Sequence, residues 1–160
     1  MRWLVVLLAL AACQDNLDAP LEEPALDRPF FDCKVQPTLT KFCGALACHG
    51  DPQRFFHLFS RNRNRLDDSP MQLNVVMTQA ERDHNYAATL AVVDTEDPDR
   101  SELLLKPLAE EAGGWFHRGA ELYKGGDVFA STNDPDYQVL AQWIAGATEV
   151  ATCQEPGSSQ

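Results

Sequence analysis

Three residues of this 160-residue chain stand in an order that can do chemistry: Cys43, Cys48 and His49. Two thiols can add to the vinyl groups of a porphyrin, and an imidazole directly after the second thiol can bind the iron. A Cys-His dipeptide behind a nearby upstream cysteine is the attachment pattern of a c-type haem. The standard pattern leaves two residues between the cysteines, and this chain leaves four: Gly44, Ala45, Leu46 and Ala47. Five positions along a regular helix turn the second thiol about 140° from the first, at roughly 100° per residue. Both thiols cannot then face one porphyrin edge, so the intervening residues must bulge out of the helix. Gly44, Ala45 and Ala47 are small enough for that.

Two other chemistries use the same residues. Cys43 and Cys48 can close a local disulfide in a haemless structural or binding protein. Zinc on Cys33, Cys43, Cys48 and His49 is the third option. Adjacent Cys48 and His49 are poor tetrahedral partners, and the second cysteine pair of a zinc ribbon is missing.

The compartment follows from the N-terminus. Arg2 precedes an apolar run over residues 3–10, too short to span a bilayer as a mature helix. Small residues then lead to Cys13, which gives the shape of a secretory signal. Leu10-Ala11-Ala12-Cys13 resembles the bacterial lipobox, in which the cysteine becomes the lipid-modified first residue. Gln14 stands where an aspartate would mark inner-membrane retention, and by the same resemblance the protein belongs to the outer membrane, facing the periplasm. The expected division is a signal peptide at 1–12, a disordered tether at 13–29, a folded domain at 30–153 and a flexible tail at 154–160. The tether carries Pro20, Pro24 and Pro29 among acidic residues and shows no period. Lipidation of Cys13 reduces five cysteines to four. Cys33 and Cys153, just inside the domain ends, are then expected to pair across a loop of about 120 residues, adding about 3–5 kcal/mol under the chain-entropy model.

The elements that must position the motif read as four helical stretches. The first follows Pro37 and puts Leu39, Phe42 and Cys43 on one face. The second covers 71–83, with Leu73, Val76, Met77 and Ala80 at helical spacing. The third starts at Asp97-Pro98 and carries Leu103, Leu104 and Leu105. The fourth starts at Asp134-Pro135, places Tyr137, Leu140, Ala141 and Ile144 on one stripe and stops at Gly146. His57 lies in a further Phe-rich segment read as helical. The class is mostly α, with short helices and long loops such as would wrap a flat cofactor. The basic run Arg54, Arg61, Arg63 and Arg65 offers propionate partners, or salt bridges to the many acids.

Together these pieces resemble small monohaem cytochrome c domains found in envelope proteins of planctomycete and myxobacterial type. Phe42-Cys43 with Cys48-His49-Gly50-Asp51 matches the opening of such domains. Pro98-Asp99-Arg100-Ser101-Glu102-Leu103-Leu104 matches their Pro-Asp-x-Ser-x-Leu-Leu segment, and His117-Arg118-Gly119 is similar to their His-Gly-Gly turn. Tyr137, Leu140, Trp143 and Ile144 match their closing helix. The resemblance implies one covalent haem c held by Cys43, Cys48 and His49, with iron bound by His49 and a distal ligand. His117 ranks first as that ligand, beside Gly113, Gly114 and Gly119. Met77 and Met71 are the alternatives.

The function so implied is single-electron transfer by a lipid-anchored carrier, not catalysis. No Gly-x-Ser-x-Gly elbow, phosphate loop or second haem motif occurs, and a peroxidase-like activity would need the distal ligand to be absent. The net charge of -11 disfavours nucleic acid; it serves simple solubility in the first place, and beyond that it favours a redox partner with a basic docking surface. Membrane contact is expected through the lipid anchor alone.

Overall fold

In the computed structural model, the described residues are 25–67, 69, 75–149 and 153. The signal peptide, Cys13, the proposed tail and Met71 lie outside them. Helix α1 opens as Arg28–Phe30, passes through a π-helical turn at Phe31–Val35 and continues as Gln36–Phe42. Helix α2 is Gln79–Leu90, α3 is Glu102–Leu105 and α4 is Pro135–Ile144. Short 3-10 turns occupy Pro98–Arg100, Glu110–Ala112 and Ala120–Leu122. The only β feature among the described residues is an isolated parallel bridge between Leu108 and Phe129. The mostly helical class expected from the sequence is what the fold has.

Helix α1 begins nine residues before Pro37. Asp27 caps it by accepting the Phe30 N–H at 2.6 Å, and Pro29 occupies the first turn, where a missing N–H costs nothing. The π turn directly precedes Pro37, which has no N–H to return to the Cys33 carbonyl; widening the ladder there keeps the helix continuous. The expected tether ends earlier than residue 29. Tyr86 Oη donates to the Leu26 carbonyl at 2.6 Å, and Trp143 Nε1 donates to the Asp27 carbonyl at 2.9 Å. Residues 26–29 therefore belong to the folded domain.

Phe31, Val35 and Leu39 line one face of α1 and are fully buried. They meet Leu103 and Leu104 of α3 and Leu140, Trp143 and Ile144 of α4 in a single apolar core. Phe31 packs against Trp143 at 5.3 Å and Tyr86 at 5.1 Å between ring centres. Cys33 on the π turn is bonded to Cys153, with Cα atoms 5.2 Å apart and a sequence separation of 120. The expected pairing of the two domain ends is therefore present.

Helix α2 departs from its expected bounds. It starts at Gln79, behind a Thr78–Glu81 capping box, and runs to Leu90. The Met71–Leu73 part of the expected helix lies outside the described residues, and 75–77 are not helical. The third stretch is split: Ser101 separates the 3-10 turn from α3 because its hydroxyl receives the Asp94 N–H at 2.8 Å. The fourth matches its expected start, with Asp134 as cap, and ends at Ile144 before Gly146 in the left-handed region. The Phe-rich segment around His57, expected as helix, is a bend at 54–56 followed by irregular loop. Among the described residues no helix is long and apolar enough to cross a membrane.

Glu81 also anchors α2 to the loop before it. Arg65 grips both its oxygens, through Nε and Nη2 at 2.8 Å each, with both side chains about 1% exposed. Leu66 N–H and Thr78 N–H complete the carboxylate. Burial alone would raise the Glu81 pKa; the Arg65 guanidinium and these amides overcome it and hold the pKa at about 2. A carboxyl depressed in the fold stabilises it above its ordinary pKa of 4.5, and that contribution is lost as pH falls toward about 2. Glu81→Gln, which strands Arg65, is expected to cost about 3–5 kcal/mol at pH 7. Its denaturation midpoint should also lose most of the wild type's pH dependence between pH 4.5 and 2.

Candidate functional site

The motif sits where α1 ends. Phe42 closes the helix, and Cys43 and Gly44 both donate to the Leu39 carbonyl, at 2.8 and 3.0 Å. Residues 43–50 then form a loop closed by its own backbone. His49 N–H reaches the Cys43 carbonyl at 3.0 Å, and Cys48 and Gly50 reach the Ala45 carbonyl at 2.8 and 2.9 Å. The two thiols are therefore not on one helix at all; the extra residues bulge outward, with Leu46 exposed. The closure leaves no room for side chains at two glycines. A Cβ on Gly44 would lie 2.4 Å from Ser60 Oγ, and one on Gly50 would lie 2.8 Å from the Gly44 carbonyl oxygen.

Cys43 and Cys48 are free thiols in this structure, so the disulfide required by a haemless reading is not formed. Cys33 is committed to Cys153, which removes it from a zinc set. Burial pushes the Cys43 thiol up to about 12, with Cys48 and Asp127 adding to the effect. Tyr123 lies close by, its hydroxyl also raised, first by burial and then by Cys48, Cys43 and Asp127.

His49 Nδ1 lies 2.8 Å from the Phe56 carbonyl oxygen. A carbonyl only accepts, so Nδ1 carries the hydrogen and Nε2 of the neutral ring keeps its lone pair. Burial lowers the His49 pKa, against the Phe56 hydrogen bond and with His117 and Arg54, which favours that neutral form.

His117 comes from a distant loop. Glycines at 113 and 119 take positive φ on either side of it. Trp115 N–H bonds the Leu105 carbonyl at 2.8 Å, and Gly114 presses so close to the Leu108 carbonyl that any Cβ would overlap it. His117 Nδ1 meets Asp127 Oδ1 at 3.1 Å, and the same oxygen receives the Val128 N–H at 2.7 Å. By the same argument the proton sits on Nδ1 and Nε2 is free. Asp127 is buried, and it is held opposite His117 by the Leu108–Phe129 bridge, whose bonds join Phe129 N–H to Pro107 and Ala109 N–H to Phe129 at 2.9 Å each.

The two imidazoles are nearly parallel, 10° apart in plane, with ring centres separated by 6.1 Å. Rings in face contact would stand near the ~3.5–4.0 Å of touching carbons. Two metal–nitrogen bonds of about 2.0 Å plus two ring half-widths also come to about 6 Å where two rings meet one metal edge-on. Both rings line one cavity of about 360 Å³, together with Cys43. Its walls include Phe56, Val92, Leu103, Pro107, Phe116 and Leu140, and its bases are Arg54, Lys106 and Arg118 against one acid, Glu102. An apolar chamber with cations at its wall suits a flat apolar ligand bearing carboxylates.

Of the alternatives to His117, Met77 does not line this cavity; its buried sulfur receives the Gln36 amide at 3.6 Å. Met71 lies outside the described residues. Within the basic run, Arg54 reaches the cavity, while Arg65 is buried on Glu81 and Arg63 donates to the Thr40 carbonyl. Asp127, the Phe56 carbonyl, Lys106 and Arg118 were not singled out from sequence. Among the described residues no group of three or more His, Cys, Asp or Glu side chains is arranged to hold a bare metal ion. Comparison with protein-family models, with curated proteins and with solved structures finds no match to this chain.

Asp127→Ala should leave His117 Nδ1 without its partner and cost about 1–3 kcal/mol. Histidine nitrogen resonances check it: in the variant the His117 ring should lose its single Nδ1–H tautomer, while His49 keeps its own.

Proposed function

We propose that this chain is a c-type cytochrome, a single-electron carrier that holds one haem covalently through Cys43 and Cys48, with His49 and His117 as the two axial ligands. The observation that carries this reading is the pair of parallel imidazoles, 6.1 Å apart, that border one apolar cavity also lined by the unbonded thiol Cys43, with the second free thiol, Cys48, next to His49 in the chain though not in the cavity wall. When bound, such a group supplies reversible one-electron chemistry at its iron. The chain's own residues do the rest. Phe56 and Asp127 hold each Nδ1–H, so each Nε2 presents a lone pair, and such partners fix ring orientation and raise ligand basicity. Basicity at both imidazoles favours the oxidised, more positive state and lowers the potential. The apolar walls exclude water, and Arg54, Lys106 and Arg118 offer positive charge to the propionates. With two protein ligands no position is left for substrate, which supports a carrier over an enzyme.

The compartment reading rests on the lipobox-like start and accords with the Cys33–Cys153 bridge, since such bonds persist in oxidising spaces. Cys13 would carry the lipid and the tether would hold the domain off the outer membrane, facing the periplasm. A basic redox partner would find Asp94, Glu96, Asp97 and Glu102 together. These acids line a second cavity that shares Val92 and Glu102 with the first.

The test is expression in a periplasm that supplies haem-maturation machinery. The purified protein should carry the mass of one haem that survives denaturation, and its visible spectrum should be low-spin in both redox states. His117→Ala should convert it to a high-spin or water-ligated spectrum, while Met77→Leu leaves it unchanged. A wild-type chain matured without added porphyrin, or a His117→Ala spectrum identical to wild type, would overturn the cofactor or the distal ligand respectively.

A further inference from the structure

A second convergence of nitrogen donors lies outside the cavity, where the loop after the motif crosses α2. His57 Nδ1 and His84 Nε2 are 3.2 Å apart, and His84 Nε2 also lies 3.1 Å from the His57 carbonyl oxygen. The pairing is built rather than incidental. Asn85, fully buried next to His84, accepts the Phe59 N–H and donates to the Phe59 carbonyl, both at 2.8 Å. Its amide also reaches Gln36 Oε1 at 3.0 Å. That clamp fixes the backbone two residues beyond His57 against the helix that carries His84. The Phe59 ring packs 4.8 Å from both imidazoles and floors the pair.

The hydrogen bookkeeping identifies what these atoms share. The Asn64 side-chain amide stands 2.6 Å from His57 Nε2. If its N–H pointed there, His57 Nδ1 would hold the proton and His84 Nε2 would face the His57 carbonyl lone pair to lone pair. With the amide turned so that its oxygen accepts from His57 Nε2–H, the contacts of both imidazoles are matched, and only the long 3.4 Å contact of the Asn64 amide with the Leu58 carbonyl is given up. His57 Nδ1, its carbonyl oxygen and His84 Nε2 then surround a single electrophile. In the absence of metal that electrophile is the His84 proton. Two metal–nitrogen bonds of about 2.0–2.1 Å span roughly 2.9 Å at a right angle and roughly 3.3 Å at the tetrahedral angle. The observed 3.2 Å lies within that range. The Asn64 oxygen on the far ring nitrogen supplies the orienting contact that metal-bound histidines usually have.

We propose that His57 and His84 form a second, surface site for one divalent zinc or copper ion, with the His57 carbonyl oxygen and water completing the shell. Neutral imidazole pairs suit these two metals, and copper(II) ranks above zinc in affinity for such donors. The site stands independently of the haem reading. Occupancy would also stiffen the segment that presents the Phe56 carbonyl to His49, because His57 is the next residue.

The test is a titration of metal-stripped, untagged protein with zinc by calorimetry and with copper(II) by electron paramagnetic resonance. One equivalent should bind, and the copper spectrum should show coupling to two imidazole nitrogens. His84→Ala, an exposed change on a helix surface, should keep the circular dichroism of the wild type and weaken binding at least about tenfold. Asn64→Ala should weaken it by a smaller factor. His117→Ala should leave this equivalent intact, which separates the site from the cavity. Absence of binding to wild type, binding undiminished in His84→Ala, or loss in His117→Ala instead would each overturn the proposal.

Discussion

Everything at the candidate site depends on the backbone closure of residues 43–50. The loop has to bring His49 under the end of α1 while carrying two more residues than a single helical turn would hold. It does so by spending its own amides on its own carbonyls: His49 on Cys43, Cys48 and Gly50 on Ala45. The closure is possible only because Gly44 and Gly50 let backbone meet backbone and Ser60 at distances that exclude a Cβ. Leu58 N–H then bonds the His49 carbonyl at 2.7 Å, so the chain doubles back and the Phe56 carbonyl arrives at the His49 ring. The orientation of the imidazole thus follows from backbone geometry, which also brings the Phe56 ring to 4.7 Å from it.

The opposite wall is assembled by different means. His117 and Asp127 are ten residues apart in a region with little regular structure, and apolar packing alone would not fix the imidazole against the carboxylate. One parallel bridge between Leu108 and Phe129 does much of that work, because Phe129 is core and Asp127 stands two residues before it. Phe129 also packs on Phe42 at 5.4 Å, the last residue of α1. The core therefore connects the two walls directly: Phe42 ends the helix that leads to Cys43, and Phe129 fixes the segment that leads to His117. A fold dominated by short helices can hold two distant imidazoles in register when a shared aromatic contact couples the loops that bear them.

How much of this was legible in the sequence depends on whether the signal was local. Helix α4 could be read because Asp134, Pro135 and Gly146 mark its ends and its buried residues are apolar. The site could be approached because a cysteine, a Cys-His pair and a histidine among glycines are conspicuous residue types. Helix α2 was misplaced for a physical reason. Its buried stripe is Glu81, Asn85 and Thr89, which a hydrophobic period cannot detect, while Val76 and Met77 of the expected apolar spacing belong to the segment before it. The Thr78-x-x-Glu81 capping box was the available signal. The start of α1 was hidden in the same way, because prolines and acids read as tether while Asp27 and Pro29 are a cap and a first-turn proline. Asp127 left no local trace, since its role exists only once a non-local bridge has formed.

Charge shows most clearly why whole-chain quantities say little about a site. The net charge of -11 describes a surface that repels anions at long range. The cavity nonetheless gathers Arg54, Lys106 and Arg118 against Glu102, while Asp94, Glu96 and Asp97 collect around the adjoining cavity. The screening length at physiological salt is about 8 Å, so a bound group feels its own wall far more than the distant surface. Local segregation of this kind allows one small domain to line a cavity with cations and still present an acidic face beside it. The two requirements conflict in the average composition, and they are reconciled by gathering most of the bases on one side of the Val92 and Glu102 wall and most of the acids, with Arg100 among them, on the other.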